Sequence, residues 1–415
     1  MTDIAGLPYC ETRFDMGGGL TSDGGLPAAV HAPGTTDLFV FSHGWNSSEA
    51  GARSLYRRIF TRLSEQLGDR RAGCVAVGVF WPSLLFPEDD PATPDTPSTG
   101  RGLATALAPA FPDAGSQLAD MGELIDTQPQ DAAQLVRFHR LASDLVTTAP
   151  LAPEDAGPGA AVTAPTSAVL GHAAAMTKTP DGDAEGGANP FRTLWSGARE
   201  VLRTLSYYEM KNRAGVIGQR GLGPMLADLA PAGSTLRVHL LGHSFGARLV
   251  SYSLTGLPAT AVGAASPVKS LTLVQGAFSH FAFADPTPSR AVARGSLAAV
   301  LDRIDGPLVT TFTAADRAVG WWYPSASMLA HQDSESLSDL TYQWGGMGHD
   351  GLQQSPAATR LTMQPKGHAY PFAKGGTYLL DANDVIKKSL STFSGAHSDI
   401  VHDEVVWAVL AAASV

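Results

Sequence analysis

The stretch LRVHLLGHSFGARLVSYSL, Leu236 to Leu254, decides how this chain reads. Its first half is apolar and ends at Gly242, as a buried strand does. Its second half, Ala247–Leu254, has helical character and follows with no intervening loop. Between them, Gly242-His243-Ser244-Phe245-Gly246 forms a G-x-S-x-G pentapeptide. Alone, the pentapeptide is weak evidence in a chain with 44 glycines. Flanked by a strand and a helix it describes a sharp strand–turn–helix, in which only small residues fit two positions to either side of Ser244, at Gly242 and Gly246. Such a turn holds the serine hydroxyl at the C-terminal edge of a sheet. The new helix aims its first N–H groups at the same place.

Working outward, other short apolar runs read as buried strands: Asp37–Ser42 (DLFVFS), Cys74–Trp81 (CVAVGVFW), Lys269–Ala277, Leu308–Ala314 and, more weakly, Thr377–Asp381. Helical stretches lie between them. Ser54–Gln66 puts Leu55, Ile59 and Leu63 on one face, residues 214–229 read as a helix, and Asp403–Ala413 closes the chain. Strands alternating with helices predict right-handed β-α-β crossovers and a mostly parallel sheet, an α/β fold.

One segment breaks that rhythm. Of the chain's 28 prolines, 14 fall in residues 82–190. Helical patches are expected at Ser116–Ile125 and Gln130–Thr147, with Pro/Ala/Ser/Thr/Gly loops around them. The expected organisation is therefore residues 1–81 as the N-terminal part of a core, 82–205 as a partly helical, partly mobile cap or lid, and 206–415 as the C-terminal part of the core. A smaller insertion is expected from Ser325 to Gly376.

Composition narrows the classes. The 415 residues are 44% hydrophobic and 16% charged, so the chain can bury a large core. A net charge of −10, with scattered Lys and Arg, argues against a nucleic-acid surface. No apolar run is long enough to span a membrane, and Met1–Gly19 lacks the pattern of a secretory signal; a cytoplasmic protein is expected. Two cysteines, Cys10 and Cys74, cannot make a Cys-based metal site, and Cys74 reads as a buried thiol. Asp181-Gly182-Asp183 begins like a calcium loop, but Arg192 stands at the twelfth position.

The Ser244 turn, together with Phe41-Ser42-His43-Gly44-Trp45-Asn46 at the end of the first strong strand, resembles the α/β-hydrolase superfamily. The resemblance is closest to bacterial serine hydrolases with an H-G-W oxyanion loop and a G-H-S-F-G-A-R elbow. It covers roughly residues 35–82 and 206–415. It implies Ser244 as nucleophile and the backbone N–H groups of Trp45 and Phe245 as the oxyanion hole. It also implies the chain order Ser, acid, His. His397, in Ser394-Gly395-Ala396-His397-Ser398-Asp399-Ile400 before the closing helix, is the expected base, with His402 as the alternative. Asp316, just past the 308–314 strand, is the expected acid, with Asp285 as the alternative. Asp399 reads as a cap for the closing helix. Candidates for the substrate pocket are His43 and the aromatic run Trp321-Trp322-Tyr323; the side chain of His43 is better suited to packing and bonding its own loop backbone, and the aromatic run equally suits packing under the adjacent insertion.

The implied activity is hydrolysis of carboxylic esters through an acyl-enzyme on Ser244, on a small-molecule ester with a hydrophobic part. No metal and no organic cofactor are expected. A serine peptidase or amidase on the same triad is the alternative within the class. A non-catalytic binding protein on the same scaffold is the alternative from another class.

Overall fold

The computed structural model describes residues 2–84, 86, 99–145, 151, 152, 154, 164–176, 189–285, 294–322, 342, 345–355, 357–390 and 394–415. The chain opens with three short strands, β1 (Thr2–Ile4), β2 (Leu7–Phe14) and β3 (Leu20–Ser22), and a helical turn α1 (Leu26–Val30). Then come β4 (Asp37–Ser42), α2 (Glu49–Leu67) and β5 (Cys74–Phe80). A helical stretch follows: α3 (Gly100–Leu107), α4 (Gly115–Thr127), α5 (Ala132–Asp144), α6 (Thr166–Met176), α7 (Pro190–Ile217) and α8 (Gly223–Leu229). The rest is β6 (Arg237–His243), α9 (Phe245–Ser253), β7 (Val268–Val274), β8 (Leu308–Phe312), α10 (Met347–Asp350), β9 (Ala358–Thr362), β10 (Thr377–Asp381) and α11 (Asp403–Ala413).

Among the described residues the strands form one sheet in the order β1-β2-β5-β4-β6-β7-β8-β10-β9, with β3 paired to β2. β1 and β3 run antiparallel to β2, and every other pairing is parallel. The fold is thus α/β, with a mostly parallel mixed sheet flanked by helices. After β4 the chain goes first to β5 on one side and then to β6 on the other. The crevice between β4 and β6 is a topological switch point, where open α/β sheets place their sites.

Side-chain alternation along each strand divides the core into two layers. Leu38 and Val40 of β4 face the cluster that also holds Leu240, Leu271, Leu249 and the apolar faces of α3 to α9. Phe39 and Phe41 face the opposite cluster with Tyr56, Ile59 and Leu63 of α2 and Val405, Val406 and Val409 of α11. Cys10 and Cys74 are free, buried, and sit in opposite clusters.

Three sequence expectations need correcting. The 205/206 boundary falls inside α7, because that helix buries Trp195, Val201, Leu202, Leu205 and Tyr208 continuously along its length. Residues 214–229 are not one helix. α7 ends at Ile217, a wide turn spans Gly218–Leu222, and α8 starts with Pro224 in its first turn, where a missing N–H does no harm. The 325–376 segment is partly strand: β9 extends the sheet beside β10. No helix of the described residues is long and apolar enough to cross a membrane.

Candidate active site

Ser244 sits between β6 and α9 with φ 58° and ψ −123°, a region that non-glycine residues rarely occupy. Such backbone costs on the order of 1–3 kcal/mol and persists only where its surroundings impose it. Here the Ser244 N–H donates to Val274 O (3.2 Å), while Ser244 O accepts from Ala247 N–H (3.1 Å) and Ala277 N–H (3.2 Å). Gly246 is required by contact: a Cβ there would lie 2.0 Å from Ser42 O. That contact seats the new helix directly on the end of β4.

The β4 loop faces the serine at close range. A Cβ on Gly44 would lie 2.6 Å from Ser244 Cβ and 3.0 Å from its Oγ. The loop is held from behind. His43 N–H donates to Tyr56 Oη (2.9 Å), Trp81 Nε1–H donates to His43 O (3.1 Å), and the His43 ring stacks on Trp81 at 5.6 Å and 11°. Burial pushes the His43 imidazole down to about 4, so it is neutral, and its Nδ1–H donates to Gly44 O (2.9 Å). Trp45 packs against Phe245 (6.0 Å) and Tyr207 of α7 (5.8 Å), and Tyr207 lies 5.0 Å from Phe245. Phe245 is the first residue of α9, so its N–H has no acceptor within the helix.

The acid and the imidazole meet on the neighbouring loops. His397 Nδ1 lies 2.7 Å from Asp316 Oδ2. The carboxylate can only accept, so the hydrogen is on Nδ1 and Nε2 is left as the basic nitrogen. Asp316 is fully buried. Its Oδ1 accepts from Val319 N–H (3.0 Å), and its Oδ2 also accepts from the Gln275 side chain (2.9 Å). A bridge between Asp316 and Gly395 and a bond from Ala396 N–H to Ala315 O (3.0 Å) tie the two loops together. His243, the residue before Ser244, reaches the same loop: its Nε2–H donates to His397 O at 2.9 Å. Burial and the adjacent His397 push the His243 imidazole down to about 3, which keeps it a neutral donor.

The structure therefore brings Asp316 and His397 into direct contact, ties His397 to the Ser244 turn through His243, and sets the Gly44 loop and Phe245 beside Ser244. The other candidates fall differently. His43 is buried under its loop among Tyr56, Phe80 and Trp81, which leaves it no pocket surface. Asp285 is exposed, with its N–H on Gln354 O, and belongs to a different loop from the Asp316–His397 contact. His402 pairs with Asp399 (3.0 Å) at the start of α11. Asp399 does not cap that helix: α11 starts at Asp403 with His402 in the cap position, three residues past Asp399, and the Asp399 Oδ2 accepts instead from the N–H groups of Lys387 (3.2 Å) and Lys388 (2.9 Å). Tyr323, the side chains of Trp321 and Trp322, and the Asp181–Gly186 motif lie outside the described residues.

Sequence reasoning passed over Gln275, His243 and Tyr207. A glutamine ending the apolar run LTLVQGA was a signal for the first; the other two act through contacts across the sheet. Among the described residues no group of three or more His, Cys, Asp or Glu is placed to hold a metal ion. An imidazole held in this way can take and return a proton, and the Phe245 N–H at the start of α9 can serve an oxygen that gains negative charge. No protein-family model, curated protein or solved structure matches the chain.

Proposed function

We propose that this chain is a serine hydrolase of α/β-hydrolase architecture that cleaves carboxylic esters through an acyl-enzyme. The observation that carries the reading is the positive-φ turn at Ser244, on the sheet edge that also holds the bonded Asp316–His397 pair. A strained serine, a buried carboxylate and an imidazole whose Nδ1–H it accepts are what nucleophilic acyl transfer requires.

In this mechanism Ser244 Oγ attacks the ester carbonyl while His397 Nε2 takes its proton. The Trp45 and Phe245 N–H groups hold the oxyanion; each such donor contributes roughly 3–4 kcal/mol to the barrier reduction. The protonated imidazole then hands its proton to the leaving alkoxide, and the C–O bond breaks. Water attacks the acyl-enzyme with His397 again as base, releasing the acid and restoring Ser244. Asp316 keeps the proton of the resting imidazole on Nδ1 and stabilises the imidazolium. The chemistry draws on side chains, backbone and water.

The aromatic group Trp45, Tyr207 and Phe245 supports a substrate with a hydrophobic part. The 82–205 segment is proposed to cap this site. Its first residues are bonded to the β4 loop: Asn46 N–H donates to Leu84 O (3.0 Å), and Phe86 N–H to Asn46 Oδ1 (2.6 Å). The test is hydrolysis of p-nitrophenyl esters from acetate to palmitate, with Ser244→Ala as control. Turnover lost in Ser244→Ala at an unchanged melting temperature is the expected result. Equal turnover by both proteins would sink the assignment. Serine-directed fluorophosphonate labelling without ester turnover would shift the reading to a peptidase or amidase.

A further inference from the structure

We propose that Gln275 is the positioning residue of the site: its side-chain amide fixes the Asp316 carboxylate that in turn orients His397. The inference rests on the hydrolase reading above. Gln275 follows β7 at φ 48° and is completely buried. Its backbone N–H donates to Thr311 Oγ1 (3.0 Å), and the Thr311 hydroxyl donates to Gln275 Oε1 (2.8 Å). At the other end of the amide, Nε2 lies 2.9 Å from Asp316 Oδ2 and 2.7 Å from Gly348 O.

Those four contacts admit one orientation of the amide. The Thr311 oxygen accepts from the Gln275 backbone N–H, and its hydroxyl hydrogen donates to Oε1. A carboxylate and a carbonyl both accept only, so the group facing them must be the NH2. Turning the amide over would set oxygen against two oxygens. Both amide hydrogens and the amide oxygen are thereby used, and the positive φ at a non-glycine position is held by this set of bonds.

The chemistry explains the residue type. Asp316 Oδ2 is shared between Gln275 Nε2 and His397 Nδ1. A lysine or arginine at 275 would neutralise the charge that the imidazolium needs. An amide donates without cancelling it, so the carboxylate is anchored by Val319 N–H on Oδ1 and by Gln275 on Oδ2 while its charge still faces His397. The amide's second hydrogen reaches Gly348 in α10, which ties that segment to the same carboxylate. The charged and titratable groups on the elements packed here include His397 on Asp316 itself, His243 behind it, His349, whose Nδ1 lies against Gly320, and Arg317, whose side chain lies against Gly395.

The test compares Gln275→Met, which keeps length and loses both donors, with Gln275→Glu, which keeps shape and replaces the NH2 by a carboxyl. Each is assayed with wild type for p-nitrophenyl ester kinetics across pH and for fluorophosphonate labelling of Ser244. For the methionine variant we expect kcat to fall about 10- to 100-fold with KM within about threefold, as for a displaced rather than absent base. For the glutamate variant, two facing carboxyls share one proton, so protonated Glu at this position still donates to Asp316 Oδ2; we expect kcat within about tenfold of wild type at low pH, falling relative to wild type as the pH rises and that proton is lost. A role in packing alone would lower the melting temperature of both and leave the pH profile where it was. If the methionine variant does not fold, the pH profile of the isosteric glutamate variant decides. Wild-type kcat and a wild-type pH profile, in a protein whose Ser244 is labelled, overturn the role of Gln275 alone. A wild type that neither turns over esters nor labels at Ser244 overturns the hydrolase reading and this inference with it.

Discussion

Replacing Asp316 by asparagine is the sharpest single perturbation of this site. The carboxylate accepts three N–H groups: His397 and Gln275 on Oδ2, and Val319 on Oδ1. An asparagine has one accepting end. With its oxygen at the Oδ2 position, both side-chain donors are satisfied, but its NH2 meets the Val319 N–H. With the amide reversed, Val319 is satisfied. The NH2 then faces Gln275 and forces His397 to carry its hydrogen on Nε2, the nitrogen that must act as base. Either way a buried donor loses its partner, at about 1–3 kcal/mol of stability. In either arrangement the charge that stabilises the imidazolium is gone. The expected loss in kcat is about 10⁴-fold, or roughly 5–6 kcal/mol of barrier at 1.36 kcal/mol per decade. Initial rates on p-nitrophenyl acetate near pH 8, with circular dichroism and thermal melts as fold controls, measure it. Activity of Asp316→Asn within tenfold of wild type would refute the reasoning. If Asp285→Asn then showed the large loss instead, the acid would belong to the loop after β7.

Three further outcomes follow from the geometry. Gly44→Ala would set a methyl group 2.6 Å from Ser244 Cβ, so the β4 loop must retreat from the serine; kcat should fall on the order of 10²-fold, and an unaffected rate would mean the loop holds no oxyanion. His43 and His243 are held neutral by burial at about 4 and about 3, whereas an unfolded imidazole titrates near 6.5. The unfolded chain therefore binds these protons more tightly, so their contribution is complete above about pH 6.5 and is lost as the pH falls toward 4 and 3. For His43 alone that is on the order of 3 kcal/mol, and a melting temperature that stays flat from pH 7.5 to 4.5 would contradict it. Burial raises the thiols of Cys10 and Cys74, the latter to about 11. Both should resist a disulfide exchange reagent in the native protein and react on unfolding, and a fast native reaction at either would show an opening that the fold does not contain.

The parallel centre of the sheet was legible because burial on both faces demands continuous apolar runs, and the FVF of β4 and CVAVGVF at β5 are such runs. The closing helix was equally plain, from Asp403 to Ala413. The edges were not. β1, β3 and β9 expose most of their residues, so they carry no such run, and only pairing with β2 or β10 makes them strands. The proline-rich stretch ends at Pro190, the first residue of α7, and the expected end of the inserted segment at 205 falls inside that helix, which is held by the face it buries.

By itself the sequence determined the local events: a strand that turns at glycines into a helix, and a loop carrying Gly44 after β4. These follow from short-range sterics and apolar periodicity, which a window of a dozen residues contains. Tertiary structure alone decided which groups meet. That Gln275 rather than another residue donates to Asp316, that His243 holds the backbone of His397, and that α7 brings Tyr207 against Trp45 depend on strands β6, β7 and β8 lying side by side. Those contacts join residues tens to hundreds of positions apart, and their partners are chosen by sheet order and register, which no local stretch of sequence encodes.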